Sequence, residues 1–191
     1  MRDFLPADKR ARDLVLEKIR NTYSARGFQE IETPALEDLG RLTSGQGGDN
    51  EKLAYQVMKR GAELEEALAN SDKLADLGLR FDLTVPLTRY YATNRSSLPN
   101  VFKAIQIGPV WRAERPQKGR YRQFVQCDID IIGDSSLLAE IDLLTSSLAA
   151  LDKLGLTDAV IRVNHRSLLV ALLDSLGVPA ESHGSAMISI D

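Results

Sequence analysis

The sequence predicts an α+β fold, a mostly antiparallel sheet flanked by helices. Three observations carry this. Two segments, Ala7 to Arg26 and Ser135 to Leu154, repeat apolar residues at helical spacing, and a glycine closes each. Two long runs, Val101 to Glu114 and Arg122 to Ile132, read as extended strands joined by a basic turn, hence as a long antiparallel hairpin with a large loop. Helices and strands follow one another irregularly, unlike the alternation of a doubly wound parallel fold.

Taken in order, the first helix has one broad apolar face of Leu14, Val15, Leu16, Ile19 and Tyr23, with Gly27 placed to end it. Phe28 to Thr33 (FQEIET) alternates apolar and polar residues and reads as a strand that Pro34 ends or pushes to an edge. Thr43 to Asn50 (TSGQGGDN) reads as a mobile loop, and its Gly45, Gly47 and Gly48 are too irregular for a phosphate-binding loop. Leu53 to Met58 suits a strand, and the acidic, Leu/Ala-rich Gly61 to Leu77 a helical excursion. Leu79 to Asp82 is expected to be a short strand feeding a helix capped by Thr84, with Pro86 in the first turn. After the hairpin, Leu137, Leu138, Ile141, Leu144, Leu148 and Leu151 mark the clearest helix. Ala159 to Val163 is expected to be a strand and Ser167 to Leu176 a helix closed by Gly177 and Pro179, while the terminal HGSAMISID carries no cap or stop signal.

Composition narrows the function. Hydrophobic content of 43% and charged content of 27% over 191 residues suit a soluble globular protein with one good core. A formal net charge of -3 gives no global attraction to nucleic acid or to an anionic membrane, so any polyanion site must be a local patch. Cys127 is the single cysteine, so no intrachain disulfide can form. The N-terminal MRDFLPADKRARD is too charged for a secretory signal, and no apolar run is long enough to span a bilayer. A cytoplasmic location and no membrane partner are expected.

The local patch is WRAERPQKGRYRQF, where Arg112, Arg115, Lys118, Arg120 and Arg122 face a single acid, Glu114. Strand alternation places Arg122, Phe124, Gln126, Asp128 and Asp130 on one face of the second strand and Val125, Cys127, Ile129 and Ile131 on the other. The second set wants a core. The first is a cation, a ring, an amide and two carboxylates in sequence. An arginine can pair with phosphate, a ring can stack on a base, and carboxylates can hold an ammonium or imidazolium. The competing reading is a solvated basic loop beside an exposed sheet face, with which Phe124 is out of keeping.

At these residues the sequence resembles class II aminoacyl-tRNA synthetases. WRAE with RQF looks like motif 2 of that class, and ERPQKGRYRQFVQCDIDIIG is similar to the histidyl-tRNA synthetase family in particular. YSARGFQEIETPALE (Tyr23 to Glu37) resembles motif 1, the dimer-forming helix and strand, and LRFDLTVPLTRY (Leu79 to Tyr90) resembles the family's histidine-binding segment. The resemblance implies a class II catalytic core and a histidine–tRNA ligase activity, with ATP, L-histidine and tRNA(His) as substrates, Mg2+ as the assisting ion and no zinc. It implies that Arg112 is catalytic, holding the ATP α-phosphate, that Glu114 meets the adenine edge, that Phe124 stacks on adenine and that Arg120 reaches the outer phosphates. Asp82, Thr84 and Gln126 would bind the histidine ammonium and Asp130 the imidazole, with Lys118 and Arg122 available to the tRNA. A homodimer through the motif 1 region is implied.

The whole chain is then read as a single partial catalytic domain over residues 1–191, with motif 1 at about 23–37, the histidine-binding segment at 79–90 and motif 2 at about 102–132. Relative to the family it is incomplete at the C-terminus: motif 3 and the anticodon-binding domain are not in it, the start is shorter, and the isolated chain is expected not to aminoacylate. The alternative is a non-catalytic relative such as the regulatory subunit of ATP phosphoribosyltransferase, which need not keep the Arg112, Glu114, Arg120 and Phe124 set. His165 and His183 fall outside every motif and read as surface or capping residues. Cys127 reads as a small core residue, and Asp128 shares the site face without a role.

Overall fold

The structure, a computed structural model, describes residues 2–44 and 53–190. It divides into two units, 1–157 and 158–191. Residues 45–50 of the predicted loop, its three glycines included, lie outside the described residues.

In the first unit, α1 (Pro6–Ser24) starts with a proline in its first turn, where no amide hydrogen is needed. It ends as Gly27 turns left-handed at φ +85°, a conformation open to glycine, and Phe28 N donates back to Tyr23 O at 3.2 Å. Next come β1 (Gln29–Ile31), β2 (Leu36–Asp38), α2 (Leu39–Thr43), β3 (Tyr55–Met58), α3 (Ala62–Ala69) and β4 (Ala75–Leu79). Then follow α4 (Thr84–Asn94), β5 (Phe102–Trp111), β6 (Gln123–Ile132) and α5 (Leu137–Lys153).

Two three-stranded sheets result, ordered β1-β5-β6 and β2-β4-β3. Only β1 with β5 is parallel among the described pairings. The hairpin of β5 and β6 lies where it was predicted, with ten residues in each strand, but β5 ends at Trp111, three residues short of the expected Glu114, so that Arg112 and Glu114 fall outside the ladder. One face of its sheet is the main core: Ile105, Ile107, Ile129 and Ile131 pack with Ile19 and Tyr23 of α1, Phe28, and Leu143 and Ala150 of α5. Cys127 is half-buried on this side, as its parity predicts, and burial pushes its thiol pKa up. At one end of the other face, Leu87, Tyr90 and Tyr91 of α4 pack on Phe102 and Ala104. The remainder of that face holds the site.

The structure corrects the sequence reading in four further places. The apolar face of α1 is covered at Ile19 and Tyr23, while Leu14 is 60% exposed. Residues 75–79 form β4, paired on both sides, whereas 80–83 bend away from it, so the strand expected at Leu79 to Asp82 lies four residues earlier. The α4 amides are capped by Asp82, whose Oδ1 accepts from Thr84 N at 3.1 Å and Val85 N at 3.4 Å; Thr84 is the first helical residue.

The fourth correction falls in the second unit. It contains α6 (Arg166–Ser175) and α7 (His183–Ile190). Residues 159–163 are not a strand: they make no ladder among the described residues, and Val160 and Val163 face outward. The terminal segment, in which the sequence shows no cap or stop signal, is α7. His165 caps α6 by accepting from Ser167 N at 3.2 Å, and the buried His183 donates from Nε2 to Val178 O at 2.9 Å, so both serve structure.

Candidate active site

In an antiparallel ladder, residues directly opposite share a face. The register sets Val110 against Phe124, Gly108 against Gln126, Gln106 against Asp128 and Ala104 against Asp130. The small or buried side chains of β5 thus form a floor, on which β6 lines up Phe124, Gln126, Asp128 and Asp130. Arg112 stands just past the end of β5. Its guanidinium carbon lies 5.1 Å from the Phe124 ring centroid, its Nε donates to Phe81 O at 3.1 Å, and its Nη2 comes within 3.5 Å of Gln126 Oε1. Gln126 Nε2 in turn donates to both oxygens of Asp128, at 3.2 and 3.0 Å.

The deep end is electronegative. Burial is the main cause that raises the pKa of Asp128 and of Asp130, and the charge of Asp82 raises both further. Asp128 also raises Asp130, while the Gln126 hydrogen bond and Arg112 hold Asp128 down. Three carboxylates from two segments therefore act on one another as a cluster, which a cation would relieve.

Sequence reasoning missed Arg80, which joins the backbone segments that carry these side chains. This arginine is 5% exposed. Its Nη1 donates to Thr33 O at 2.6 Å, Thr33 Oγ1 at 3.0 Å and Pro34 O at 3.3 Å, and its Nε donates to Pro109 O at 3.0 Å. Its backbone N–H goes to Ala35 O and its carbonyl accepts from Trp111 N, both at 3.0 Å. Gln106 Nε2 donates to Leu83 O at 2.9 Å. The 80–84 segment is thereby tied to β5 and to the end of the 23–37 stretch. The only signal in the sequence is an arginine between apolar neighbours in GLRFDL, which does not say that backbone carbonyls surround it.

Arg112, Phe124, Gln126, Asp130 and Asp82 are thus brought together, with Asp128 among them. Thr84 is exposed beside them. Glu114, Lys118 and Arg120 stand exposed on the loop between the strands, away from this line. The loop tip is a tight turn in which Gln117 and Arg120 exchange backbone hydrogen bonds. Arg122, expected on the site face, turns its Nε to Glu114 O at 3.2 Å and braces the neck of the loop. A hollow of about 620 Å³ is lined by Arg2, Phe4, Arg12, Tyr121, Phe124 and Cys127 and includes neither Gln126 nor Asp130. Among the described residues no group of three or more His, Cys, Asp or Glu side chains is placed to hold a metal ion, and no helix is long and apolar enough to cross a membrane.

This constellation meets its family in the comparisons. The profile of histidyl-tRNA synthetase matches residues 1–189. The chain belongs to the histidyl-tRNA synthetase family. Across all of its length it is 58% identical to the histidine–tRNA ligase of Leifsonia xyli, covering 46% of that protein. It is 50% identical to the probable histidine–tRNA ligase of Tropheryma whipplei, covering 45%. The chain thus spans about half the length of these curated relatives. The crystal structure of histidyl-tRNA synthetase from Nostoc sp. PCC 7120 superimposes on the whole chain with a TM-score of 0.80 at 32% identity, and the chain covers 41% of it. The antiparallel-rich α+β architecture is accordingly that of a class II synthetase core. A Bacillus halodurans structure described as an ATP phosphoribosyltransferase regulatory subunit/histidyl-tRNA synthetase shares the fold over 82% of this chain and 37% of its own, with a TM-score of 0.66 at 22% identity.

Proposed function

We propose that this chain carries the ATP and amino-acid half-sites of a histidine–tRNA ligase. The observation that supports it most is the continuous line on β6, with Arg112 over Phe124, Gln126 beyond them, and the carboxylates of Asp128, Asp130 and Asp82 at the far end. Polyphosphate chemistry suits one end and a small cationic amino acid the other.

In the first step a carboxylate oxygen of histidine attacks the α-phosphorus of ATP, the bond to the β-phosphate breaks and pyrophosphate leaves. In the second, the terminal ribose hydroxyl of tRNA(His) attacks the carbonyl of the adenylate and AMP leaves. Arg112 neutralises charge that builds on the α-phosphate, as preorganised cations do in phosphoryl transfer. Phe124 gives adenine a stacking face, Glu114 meets its edge and Arg120 reaches the outer phosphates. Asp82, Thr84 and Gln126 receive the ammonium. Asp130 accepts from the imidazole, and an apolar analogue would leave it buried and unpaired.

Lys118 at the loop tip and Arg122 at its neck suit the tRNA backbone. Mg2+ commonly arrives on nucleotide phosphates with few protein ligands; the described residues build no cage for it, and the residue roles above do not depend on it. A homodimer through residues 23–37 and a place in the cytoplasm, where tRNA is charged, complete the reading.

The test is histidine-dependent ATP–pyrophosphate exchange by the intact protein, with the other amino acids as controls and Arg112→Ala as the variant. Exchange with histidine alone, lost in Arg112→Ala, is expected. Tight histidine binding without any exchange would favour a regulatory relative, and exchange with another amino acid would sink the assignment.

A further inference from the structure

Asp128 has no part in the roles above, yet it occupies the centre of the line. It is half-buried, it lies near two other carboxylates, and burial makes its charge costly. A residue that weakens the fold at a site is a candidate for work there. Its donor among the described residues is Gln126, whose Nε2 faces both carboxylate oxygens at 3.2 and 3.0 Å. Gln106, directly across the ladder, spends an amide hydrogen on Leu83 O instead.

An amide can turn either end to a ligand: a carbonyl that accepts or an NH2 that donates. Beside a carboxylate the choice is forced, because the NH2 is attracted and the carbonyl repelled. The far end of the Gln126 amide, Oε1, then points toward Arg112, whose Nη2 is a distant donor at 3.5 Å, and the oxygen keeps a second lone pair for another donor. We infer that Asp128 is a positioning residue, which locks the Gln126 amide so that it offers a carbonyl acceptor to the substrate ammonium. The inference rests on the ligase reading. It also gives Asp128 an unequal effect: the amino acid depends directly on the amide's orientation, while the nucleotide, held by Arg112 and Phe124, feels it only through the long 3.5 Å contact between Gln126 Oε1 and Arg112.

The experiment uses the intact protein with Asp128→Asn, which keeps the shape and removes the charge that fixes the amide. Asp128→Ser serves the same purpose should the first variant not fold. The KM for histidine is expected to rise about tenfold, the loss of one hydrogen bond to a charged group, with the KM for ATP held within about twofold. Thermal stability should stay level or increase, where a structural role would lower it. In a Gln126→Ala background Asp128→Asn should add nothing, because the effect passes through Gln126. An unchanged histidine KM, an equal rise for ATP, a loss of stability, or a full effect persisting without Gln126 would each overturn the inference.

A second readout needs no catalysis. In 15N-labelled protein one proton of the Gln126 side-chain amide should be shifted downfield and protected from exchange, and Asp128→Asn should abolish this. Failure of histidine-dependent exchange in the wild type would strike the ligase reading. An ordinary, unprotected Gln126 amide would strike the role of Asp128.

Discussion

A Cβ on residue 108 would lie 2.5 Å from Arg80 Nη2: the buried guanidinium fills the space that a side chain on Gly108 would need. Arg80 ends in a flexible chain, but its hydrogen bonds to Thr33, Pro34 and Pro109 leave it nowhere to go without losing them. Gly108→Ala is therefore expected to destabilise the fold by about 1–3 kcal/mol, the usual range for overpacking. Urea unfolding measures this. In an Arg80→Ala background the penalty should largely vanish, and a Gly108→Ala variant as stable as the wild type would show that Arg80 yields freely.

Glu37 of β2 is buried, and Arg89 of α4 donates from Nε to its two oxygens at 2.6 and 2.9 Å. Glu37→Ala should cost about 3 kcal/mol, since it strands a partly buried guanidinium, whereas replacing both residues by methionine should cost much less. The midpoint of urea unfolding at constant m-value distinguishes the two. Equal losses in the single and double variants would mean that packing, not the ion pair, holds α4 to this sheet.

Phe124 lies under Arg112, whose guanidinium carbon is 5.1 Å from the ring centroid. Phe124→Leu keeps the bulk and removes the ring. On the proposed function it should raise the KM for ATP by about two- to tenfold, the worth of an aromatic stack, and leave the KM for histidine near its wild-type value. A rise for histidine alone would move adenine away from this ring.

The pKa of Asp130 is raised by burial and by the charges of Asp128 and Asp82. The folded state therefore holds this proton more tightly than the unfolded chain does. Its contribution to stability is fully present below the ordinary aspartate value of 3.8 and is lost as pH rises through the higher folded value. Asp130→Asn removes that loss. Thermal melts should show the variant at least as stable as the wild type at neutral pH, with the advantage gone in acid, while histidine-dependent exchange collapses. An advantage that grew on acidification would reverse the sign of this argument.

The hairpin and its two faces are legible because a period of two leaves little choice once Ile129 and Ile131 demand a core. The helices α1 and α5 are legible for the same reason at the helical period, with Gly27 and Gly155 as stops. Shorter elements were set by partners the sequence does not display. The Ala75–Leu79 run becomes a strand because β2 and β3 flank it, and 159–163, though β-branched, stays irregular where it has no ladder. The cap of α4 was misplaced by two residues because Asp82 and Thr84 are both good capping residues. In the site, the β6 face followed from alternation. Arg80 did not, because its partners are carbonyl groups whose positions depend on the finished fold.

The knot at Arg80 to Thr84 also bears on how such a site can diverge. Within five consecutive residues it fixes the carbonyl that holds Arg112, the carboxylate that caps α4 and a tie to β5 through Gln106. A change of sequence there is felt at both ends of the line at once. Residues 126 and 128 are tied to each other and, through Gln126, to Arg112, but those ties run between side chains and leave the backbone ladder unchanged. A lineage in search of a new amino acid has its room to vary on β6, and the knot is the part it must inherit.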